Sequence, residues 1–143
     1  AVLETLERHK HYTSICNAGP SEFLAAVALE AGERIQQRNR KQIADNLPHF
    51  DAFFARHPEL FDWAHPGAGC VAFPRYLGPD GVETFCRELV EQAGVLLLPA
   101  SVYCSDVGQV PADRFRIGVG RSNPEPALAA FEQYLRDRPA QHS

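Results

Sequence analysis

One arginine in the stretch 113–121 has the surroundings that an anion-binding residue needs. Large apolar residues alternate there with that arginine and two glycines, in the order Phe115, Arg116, Ile117, Gly118, Val119 and Gly120. The alternation predicts a β-strand with one apolar face and one face that presents a guanidinium beside bare backbone. A planar fork of five N–H donors suits a carboxylate or a phosphate. An edge-strand arginine that pairs with a surface glutamate would give the same pattern, so the rest of the chain must distinguish the two.

The cysteines and histidines do not form a second centre for chemistry. The four cysteines contain no CxxC pair, and they are Cys16, Cys70, Cys86 and Cys104. Their low density favours free thiols in a reducing, cytoplasmic compartment. His9 and His11 lie close to Cys16 in sequence, but alternate residues of a helix do not share a face, so we expect no metal site. Cys104 has no histidine placed as its base, which argues against a cysteine nucleophile.

Composition and charge exclude two classes of partner. With 143 residues, 45% of them apolar and 22% charged, the chain has the composition of one ordinary globular domain. Its net charge of −4 argues against nucleic acid as a partner. No apolar run approaches the roughly 20 residues that cross a membrane, so we expect no membrane partner. The chain starts without methionine and already inside a helical pattern, so we expect it to be a piece of a longer protein.

The elements predicted around the arginine strand form a small α/β arrangement. An apolar stripe at helical spacing runs over residues 20–57, and Gly32 and Pro48 interrupt it, which predicts a long helix with a bend and a kink. The other predicted elements are a helix over 1–10, extended segments over 62–66 and 70–74, a helix over 82–93, a buried central strand over 95–98 and a last helix capped by Asn123. This order predicts an α/β fold in which helices pack on one face of a small mixed sheet of three or four strands, preceded by a long kinked connector helix.

Three segments of the chain resemble the C-terminal part of class I/II pyridoxal-phosphate-dependent aminotransferases of fold type I. They are residues 66–73, 94–103 and 115–121, and the order of elements matches from about Tyr12 to Leu135. The resemblance implies that residues 1–31 are the tail of a large cofactor domain with the start of the connector helix, and that residues 32–143 form the small C-terminal domain. It also implies pyridoxal 5'-phosphate as cofactor, an amino acid or keto acid as substrate, and a homodimeric parent protein.

The same resemblance assigns one substrate contact. Arg116 matches the arginine of the terminal strand that binds the α-carboxylate of the amino acid, whereas Arg114 and Arg121 match it less well. The chain would then be the substrate-clamping domain of an aminotransferase, with Arg116 holding the substrate carboxylate.

Two further segments are implied to lie near the active site. Ser101 and Tyr103 fall in a stretch similar to the family's Pro-Gly-x-x-Phe at the active-site mouth. In this chain Ala100 replaces the glycine and Tyr103 replaces the phenylalanine. A second segment resembles one that lies near the dimer interface and approaches the cofactor phosphate of the other subunit, and it consists of Tyr12, Thr13 and Ser14.

The chemistry of this family needs a lysine that the chain does not supply. The only lysines are Lys10 and Lys41, and neither stands in the family's Ser-x-x-Lys context. The Schiff-base lysine is therefore expected upstream, and the chain alone is expected to be inactive and to bind no cofactor. Two alternatives remain open. One is another fold-type I enzyme, such as a lyase or a cyclase, and the other is a non-catalytic α/β module that binds an anion or a peptide on the Arg116 face.

Overall fold

The computed structural model describes residues 1–109 and 111–138. The chain forms two compact units, Ala1–Asn39 and Arg40–Ser143. The predicted division into residues 1–31 and 32–143 remains a prediction. Among the described residues, every helix is too short or too polar to span a lipid bilayer.

The first unit contains helices α1 (Val2–Thr13) and α2 (Gly19–Glu30). α1 extends beyond residue 10, where the sequence predicts its end. The backbone N–H of Ser14 donates to the carbonyl of Lys10 at 3.1 Å and closes one more turn. In α2, Pro20 stands in the first turn, where its missing N–H costs nothing.

A third helix, α3 (Gly32–Phe54), follows after an interruption at Ala31. This interruption lies next to Gly32, where the sequence predicts a bend. Pro48 lies inside α3, where its ring removes one backbone hydrogen bond. The buried side chains of α3 all lie in its C-terminal half, and they are Asn46, Leu47, Phe50, Phe53 and Phe54. This half of the helix therefore forms one wall of the core of the second unit.

Two small sheets and two further helices follow. The strands are β1 (Phe61–Asp62), β2 (Val71–Ala72), β3 (Arg75–Tyr76), β4 (Leu98–Pro99) and β5 (Phe115–Gly118). β5 lies between β2 and β4 in a three-stranded sheet, and β1 pairs with β3. The helices are α4 (Val82–Ala93) and α5 (Glu125–Asp137). The predicted α/β class with a small sheet is confirmed.

The sheet differs from the predicted mixed sheet, because every strand pair among the described residues is antiparallel. A helical crossover between two strands of one sheet, as α4 provides between β2 and β4, usually places parallel strands side by side. β2 and β4 do run parallel to each other, since both are antiparallel to β5. However, β5 lies between them, so the two parallel strands are not neighbours.

The apolar run 95–98 is not the central strand that the sequence predicts. The strand there begins only at Leu98, and it lies at the edge of the sheet. Leu97 is 3% exposed but Leu96 is 68% exposed, so the run is not buried throughout. A continuous apolar run signals burial of part of a strand, but it contains no information about which neighbour the strand will have.

The ends of α4 and α5 show one confirmed and one wrong prediction. α4 spans the predicted range, and Gly94 ends it in the left-handed conformation (φ 67°) that a glycine adopts without strain. Asn123 does not cap α5: Pro124 occupies the N-cap position, with no side-chain hydrogen bond to the helix. Asn123 itself has φ 55° and turns the chain before the helix begins.

The core of the second unit lies on one face of the three-stranded sheet. Phe115 and Val119 are fully buried, and Ile117 is 7% exposed. Helices α3, α4 and α5 contribute aromatic side chains to the same cluster, and these include Phe53, Phe85 and Phe131. The helices therefore pack on one face of the sheet, as predicted, and the opposite face of β5 stays open.

Candidate functional site

The open face of β5 carries the residues that the sequence pattern singles out. Arg116 and Gly118 are exposed, whereas Phe115 and Ile117 are buried, so the predicted alternation is confirmed. Val71 of β2 pairs with Gly118 and is 37% exposed, so it extends the same face sideways. An open surface centred on one guanidinium results.

Within the described residues the side chain of Arg116 makes one hydrogen bond, from Nη1 to the hydroxyl of Tyr103 at 3.1 Å. Among the described residues, arginines that form ion pairs with carboxylates include Arg56, Arg75, Arg136 and Arg138, and no such ion pair involves Arg116. The alternative of an edge-strand arginine paired with a glutamate is therefore wrong. β5 is the central strand, and the guanidinium of Arg116 faces outward without a carboxylate partner in the part of the chain that the structure describes.

The carboxylate closest to Arg116 in sequence is bound elsewhere. Asp113 accepts a hydrogen bond from Nε of Arg75 at 2.8 Å. This hydrogen bond and the positive charge of Arg75 lower the pKa of Asp113, although partial burial acts in the opposite direction. Asp113 is thus an ionised partner of β3 that anchors the start of β5, and it does not neutralise Arg116.

The two glycines that alternate with Arg116 have different roles. A Cβ placed on Gly118 would meet no atom within 4 Å, so this position borders open space beside the guanidinium. A Cβ on Gly120 would lie 2.8 Å from Cβ of Cys70, so this glycine is needed for close packing. Only Gly118 therefore provides the bare backbone that the sequence pattern predicts beside Arg116.

The segment predicted at the active-site mouth forms a 3₁₀ helix, Ala100–Tyr103, immediately after β4. Ala100 is 1% exposed, and its N–H donates to the carbonyl of Arg114 at 2.8 Å, so the turn is anchored to β5. The ring of Tyr103 meets the ring of Phe73 edge to face, with centroids 6.2 Å apart. The structure thus brings Tyr103 to Arg116, whereas Ser101 is exposed and its side chain makes no hydrogen bond to Arg116.

The two other arginines of the stretch are placed differently. Arg114 donates from Nη1 to the carbonyl of Phe73 at 2.9 Å, which ties β5 to the segment after β2. It also lines a cleft of about 300 Å³, together with His65. Arg121 is exposed and lines a separate cleft of about 410 Å³ beside α5. Of the three, Arg116 is the one that shares the open face of β5 with Gly118 and whose guanidinium contacts Tyr103.

Two amide side chains of α3 hold the end of the arginine strand, and sequence reasoning missed both. Nδ2 of Asn46 donates to the carbonyls of Val119 at 2.8 Å and of Arg121 at 2.7 Å. Nε2 of Gln42 donates to the carbonyl of Gly120. Asn46 is 6% exposed, and an asparagine next to Leu47 within an apolar helical stripe is the signal that could have revealed it.

The segment predicted to face a partner subunit lies in the first unit. Tyr12 is 89% exposed. The hydroxyl of Thr13 donates to the carbonyl of His9 at 3.2 Å, and Oγ of Ser14 accepts from Nζ of Lys10 at 3.1 Å. The hydroxyls of Thr13 and Ser14 thus have local partners, whereas the Tyr12 hydroxyl has no hydrogen bond among the described residues.

The thiols and imidazoles do not assemble a metal site within the described residues. All four cysteines are free thiols. Burial raises the pKa of Cys86 to about 12, so this thiol stays protonated and unreactive at neutral pH.

Neither a protein-family model nor a curated protein sequence matches the chain. Crystal structures with a similar fold include two pyridoxal-phosphate (PLP)-dependent enzymes. A PLP-dependent aminotransferase from Streptococcus suis 89-1591 is 26% identical, with a TM-score of 0.81 over 94% of this chain and 35% of that chain. The PLP-dependent cyclase OrfR, in complex with Au, is 25% identical, with a TM-score of 0.82 over 96% of this chain and 37% of that chain.

These matches define the class of fold. The fold is the one found in part of two pyridoxal-phosphate-dependent enzymes. The chain spans little more than a third of the length of either structure. One of the two is an aminotransferase and the other a cyclase, so the likeness is to PLP-dependent enzymes in general and not to one reaction.

Proposed function

We propose that this chain is the substrate-clamping part of a pyridoxal-phosphate-dependent aminotransferase, in which Arg116 binds the carboxylate of an amino acid. The observation that carries the proposal is the outward-facing guanidinium of Arg116, which has a phenol but no carboxylate as its partner among the described residues. The open space at Gly118 leaves room for a ligand beside it. The aminotransferase with the same fold supports the choice of reaction.

The chemistry of a guanidinium explains why a carboxylate is the ligand of choice. Two parallel N–H groups match the two oxygens of a carboxylate, and charge-assisted hydrogen bonds of this kind contribute about 1.5–3 kcal/mol. A bidentate contact also fixes the orientation of the Cα of the amino acid, which matters for the direction in which its proton leaves. In this proposal Arg116 binds and orients the substrate and takes no part in proton transfer.

The residues of this chain do not by themselves fit pyridoxal phosphate. Nζ of Lys10 donates to Ser14 and, at 2.7 Å, to Oδ1 of Asn17, and Nζ of Lys41 pairs with Asp45 at 2.6 Å. Both amines are thus engaged with neighbouring side chains of their own segments at the surface. In our proposal the cofactor is therefore held by other parts of a longer, homodimeric, cytoplasmic protein, in which Tyr12–Ser14 approach the cofactor phosphate of the other subunit.

A second candidate function is cyclisation of an amino acid by the same class of enzyme. The cyclase OrfR matches the chain as well as the aminotransferase does, and this observation favours it. Carboxylate binding by Arg116 would serve either reaction. The two are separated by incubating the full-length protein with an amino acid and a keto acid, because only an aminotransferase transfers the amino group to the keto acid.

The role of Arg116 is tested by steady-state kinetics of the full-length protein. Arg116→Gln should raise KM for the amino acid about 10- to 100-fold, the range expected for loss of a charge-assisted hydrogen-bonded pair, while the absorbance of bound cofactor is retained. Arg87→Gln is the matched control, since Arg87 is exposed on α4, which packs on the core side of the sheet, and it should leave KM unchanged. An unchanged KM in Arg116→Gln would contradict the proposal.

A further inference from the structure

The geometry points to Tyr103 as a positioning residue for Arg116 that also donates its phenol hydrogen to the bound carboxylate. The inference rests on the proposed function, because it concerns the same ligand. It adds a second residue to the site. It also assigns a chemical role to Tyr103, which stands where the aminotransferases that the chain resembles have a phenylalanine.

The direction of the hydrogen bond between the two side chains is determined by chemistry. A guanidinium only donates, so the hydroxyl oxygen of Tyr103 accepts from Nη1 of Arg116 at 3.1 Å. The hydrogen of that hydroxyl must then point elsewhere. Among the described residues no acceptor receives it, and Tyr103 is 39% exposed, so this hydrogen is available to a ligand on the open face.

The contact also decides which edge of Arg116 receives the ligand. Tyr103 occupies one hydrogen of Nη1, while Nε and Nη2 have no acceptor among the described residues. Because Tyr103 already binds Nη1, a carboxylate at this end of the guanidinium can accept one hydrogen from Nη2 and the other from the Tyr103 hydroxyl, in place of a parallel N–H pair. Holding the guanidinium plane beforehand reduces the side-chain freedom that a flexible arginine loses when it binds.

Tyr103 itself is held firmly enough to act in this way. Its ring packs edge to face on Phe73, and the 3₁₀ helix that carries it begins at the buried Ala100, whose N–H is bonded to Arg114 of the strand that also carries Arg116. Arg116 and Tyr103 are therefore held by two backbone segments, β5 and the 3₁₀ helix, that are hydrogen-bonded to each other. Removal of the Tyr103 hydroxyl alone should leave both segments in place.

The two buried tyrosines of the second unit, Tyr76 and Tyr134, show the hydrogen bonds that a purely structural hydroxyl makes. The hydroxyl of Tyr76 donates to Asp80 at 2.6 Å and accepts from Arg138, and the ring is 4% exposed. The hydroxyl of Tyr134 donates to Glu88 at 3.2 Å, and its ring is 6% exposed. Both donate to carboxylates of this chain, whereas the hydroxyl of Tyr103 has no such acceptor.

The resulting set of donors specifies the ligand group. One N–H group from Arg116 and one O–H from Tyr103 present two hydrogens to the two oxygens of a carboxylate, which offers only acceptors. A carboxamide has a single oxygen and turns its NH₂ toward one of these donors, which then stays unpaired, and this is costly. The site should therefore prefer a carboxylate to the corresponding amide, and Tyr103 should contribute to this preference.

The test compares Tyr103→Phe, Arg116→Gln and the matched control Tyr134→Phe in the full-length protein, with propionate and propionamide as competing ligands. Tyr103→Phe keeps the ring against Phe73 and removes only the hydroxyl. It should raise the inhibition constant of propionate and KM for the amino acid about tenfold each, with kcat and the inhibition constant of propionamide unchanged. Tyr134→Phe should change none of these constants.

The outcomes separate the inference from the proposed function. If Arg116→Gln weakens propionate but Tyr103→Phe does not, the inference on Tyr103 is overturned and the proposed function stands. If Tyr103→Phe lowers kcat and leaves both constants unchanged, Tyr103 acts in another way and the inference is equally overturned. If propionate does not inhibit the unaltered protein, or if Arg116→Gln leaves its inhibition constant unchanged, the proposed function fails and the inference fails with it.

Discussion

Replacing Asn46 should reveal how strongly α3 holds the end of the strand that carries Arg116. The amide of Asn46 is 6% exposed and is the donor to two carbonyls, those of Val119 and Arg121. These carbonyls lie just beyond β5, where no neighbouring strand pairs with them in the described residues. Asn46→Ala removes both hydrogen bonds without placing any new group in the site.

The expected cost follows from the surroundings of each carbonyl. Val119 is fully buried, so its carbonyl loses its partner without reaching water, which costs about 1–3 kcal/mol. Arg121 is exposed, so its carbonyl can bind water instead, and this bond contributes about 0.5–1 kcal/mol. Asn46→Ala should therefore lower the free energy of unfolding by about 1.5–4 kcal/mol.

Urea-induced unfolding, followed by tryptophan fluorescence, measures this loss. Trp63 is the single tryptophan, and its ring stacks on Phe54 with centroids 4.4 Å apart, so its emission reports on the core of the second unit. Asp45→Ala is the matched control at the adjacent position. Its carboxylate is 59% exposed and pairs with Lys41 only at the surface, so the control should change stability by less than about 0.5 kcal/mol.

An isosteric variant provides the sharper comparison. Asn46→Asp places a carboxylate opposite two carbonyl oxygens, which raises its pKa in the folded state, so at pH 7 it should cost more than Asn46→Ala. As the pH falls through that raised pKa, the acid becomes protonated, can donate one hydrogen bond, and should recover part of the stability. A loss below about 0.5 kcal/mol for Asn46→Ala, or an Asn46→Asp variant as stable as the unaltered chain at pH 7, would refute the reasoning.

Two further predictions concern stability. Leu97→Ala should lower the free energy of unfolding by about 2–5 kcal/mol, because Leu97 is 3% exposed. The control Leu96→Ala should lower it by less than about 0.5 kcal/mol, because Leu96 is 68% exposed. Similar midpoints of urea unfolding for the two variants would be inconsistent with this difference in burial. Burial raises the pKa of Glu132, but hydrogen bonds from Arg56 at 2.8 Å and His57 at 3.2 Å outweigh it and lower the pKa below its ordinary value of 4.5. The contribution of the ionised Glu132 to the free energy of unfolding is thus fully present above pH 4.5 and is lost as the pH falls through the lowered pKa. Glu132→Gln should therefore lower the free energy of unfolding by about 1 kcal/mol at pH 7 and by progressively less in acid. A loss of stability that does not depend on pH would argue against this role.

Local signals in the sequence predicted those elements whose formation depends on residues that are close together along the chain. The helix over 82–93 and its end at Gly94 were predictable because an amphipathic period and a glycine at the C-terminus act within a few residues. The alternation around Arg116 predicted a strand with one open face, because successive side chains of a strand point to opposite sides. The alternation alone left two interpretations of Arg116 open, and the resemblance of the surrounding segments to the aminotransferases singled it out as the residue to test.

The cap of α5 and the position of β4 in the sheet could not be predicted from the sequence. Asparagine is a residue type that often caps helices, but Asn123 takes a left-handed backbone conformation before Pro124. The suitable residue type therefore did not produce the expected hydrogen bond to α5. The apolar run 95–98 looked central, yet its strand lies at the edge. Hydrophobicity reports that a segment is partly buried, but strand order depends on which distant segments pair, and a single sequence has no local signal for that.

The sequence by itself therefore determined the α/β class, the helices and the candidate arginine, because these depend on periodicity and on residue chemistry. Only the tertiary structure decided that the last strand lies between the other two, that Tyr103 accepts a hydrogen bond from Arg116, and that Asn46 holds the end of the strand. The physical reason is separation along the chain. Asn46 and Val119 belong to distant segments, and their contact arises only when the core beneath β5 brings α3 and the strand together.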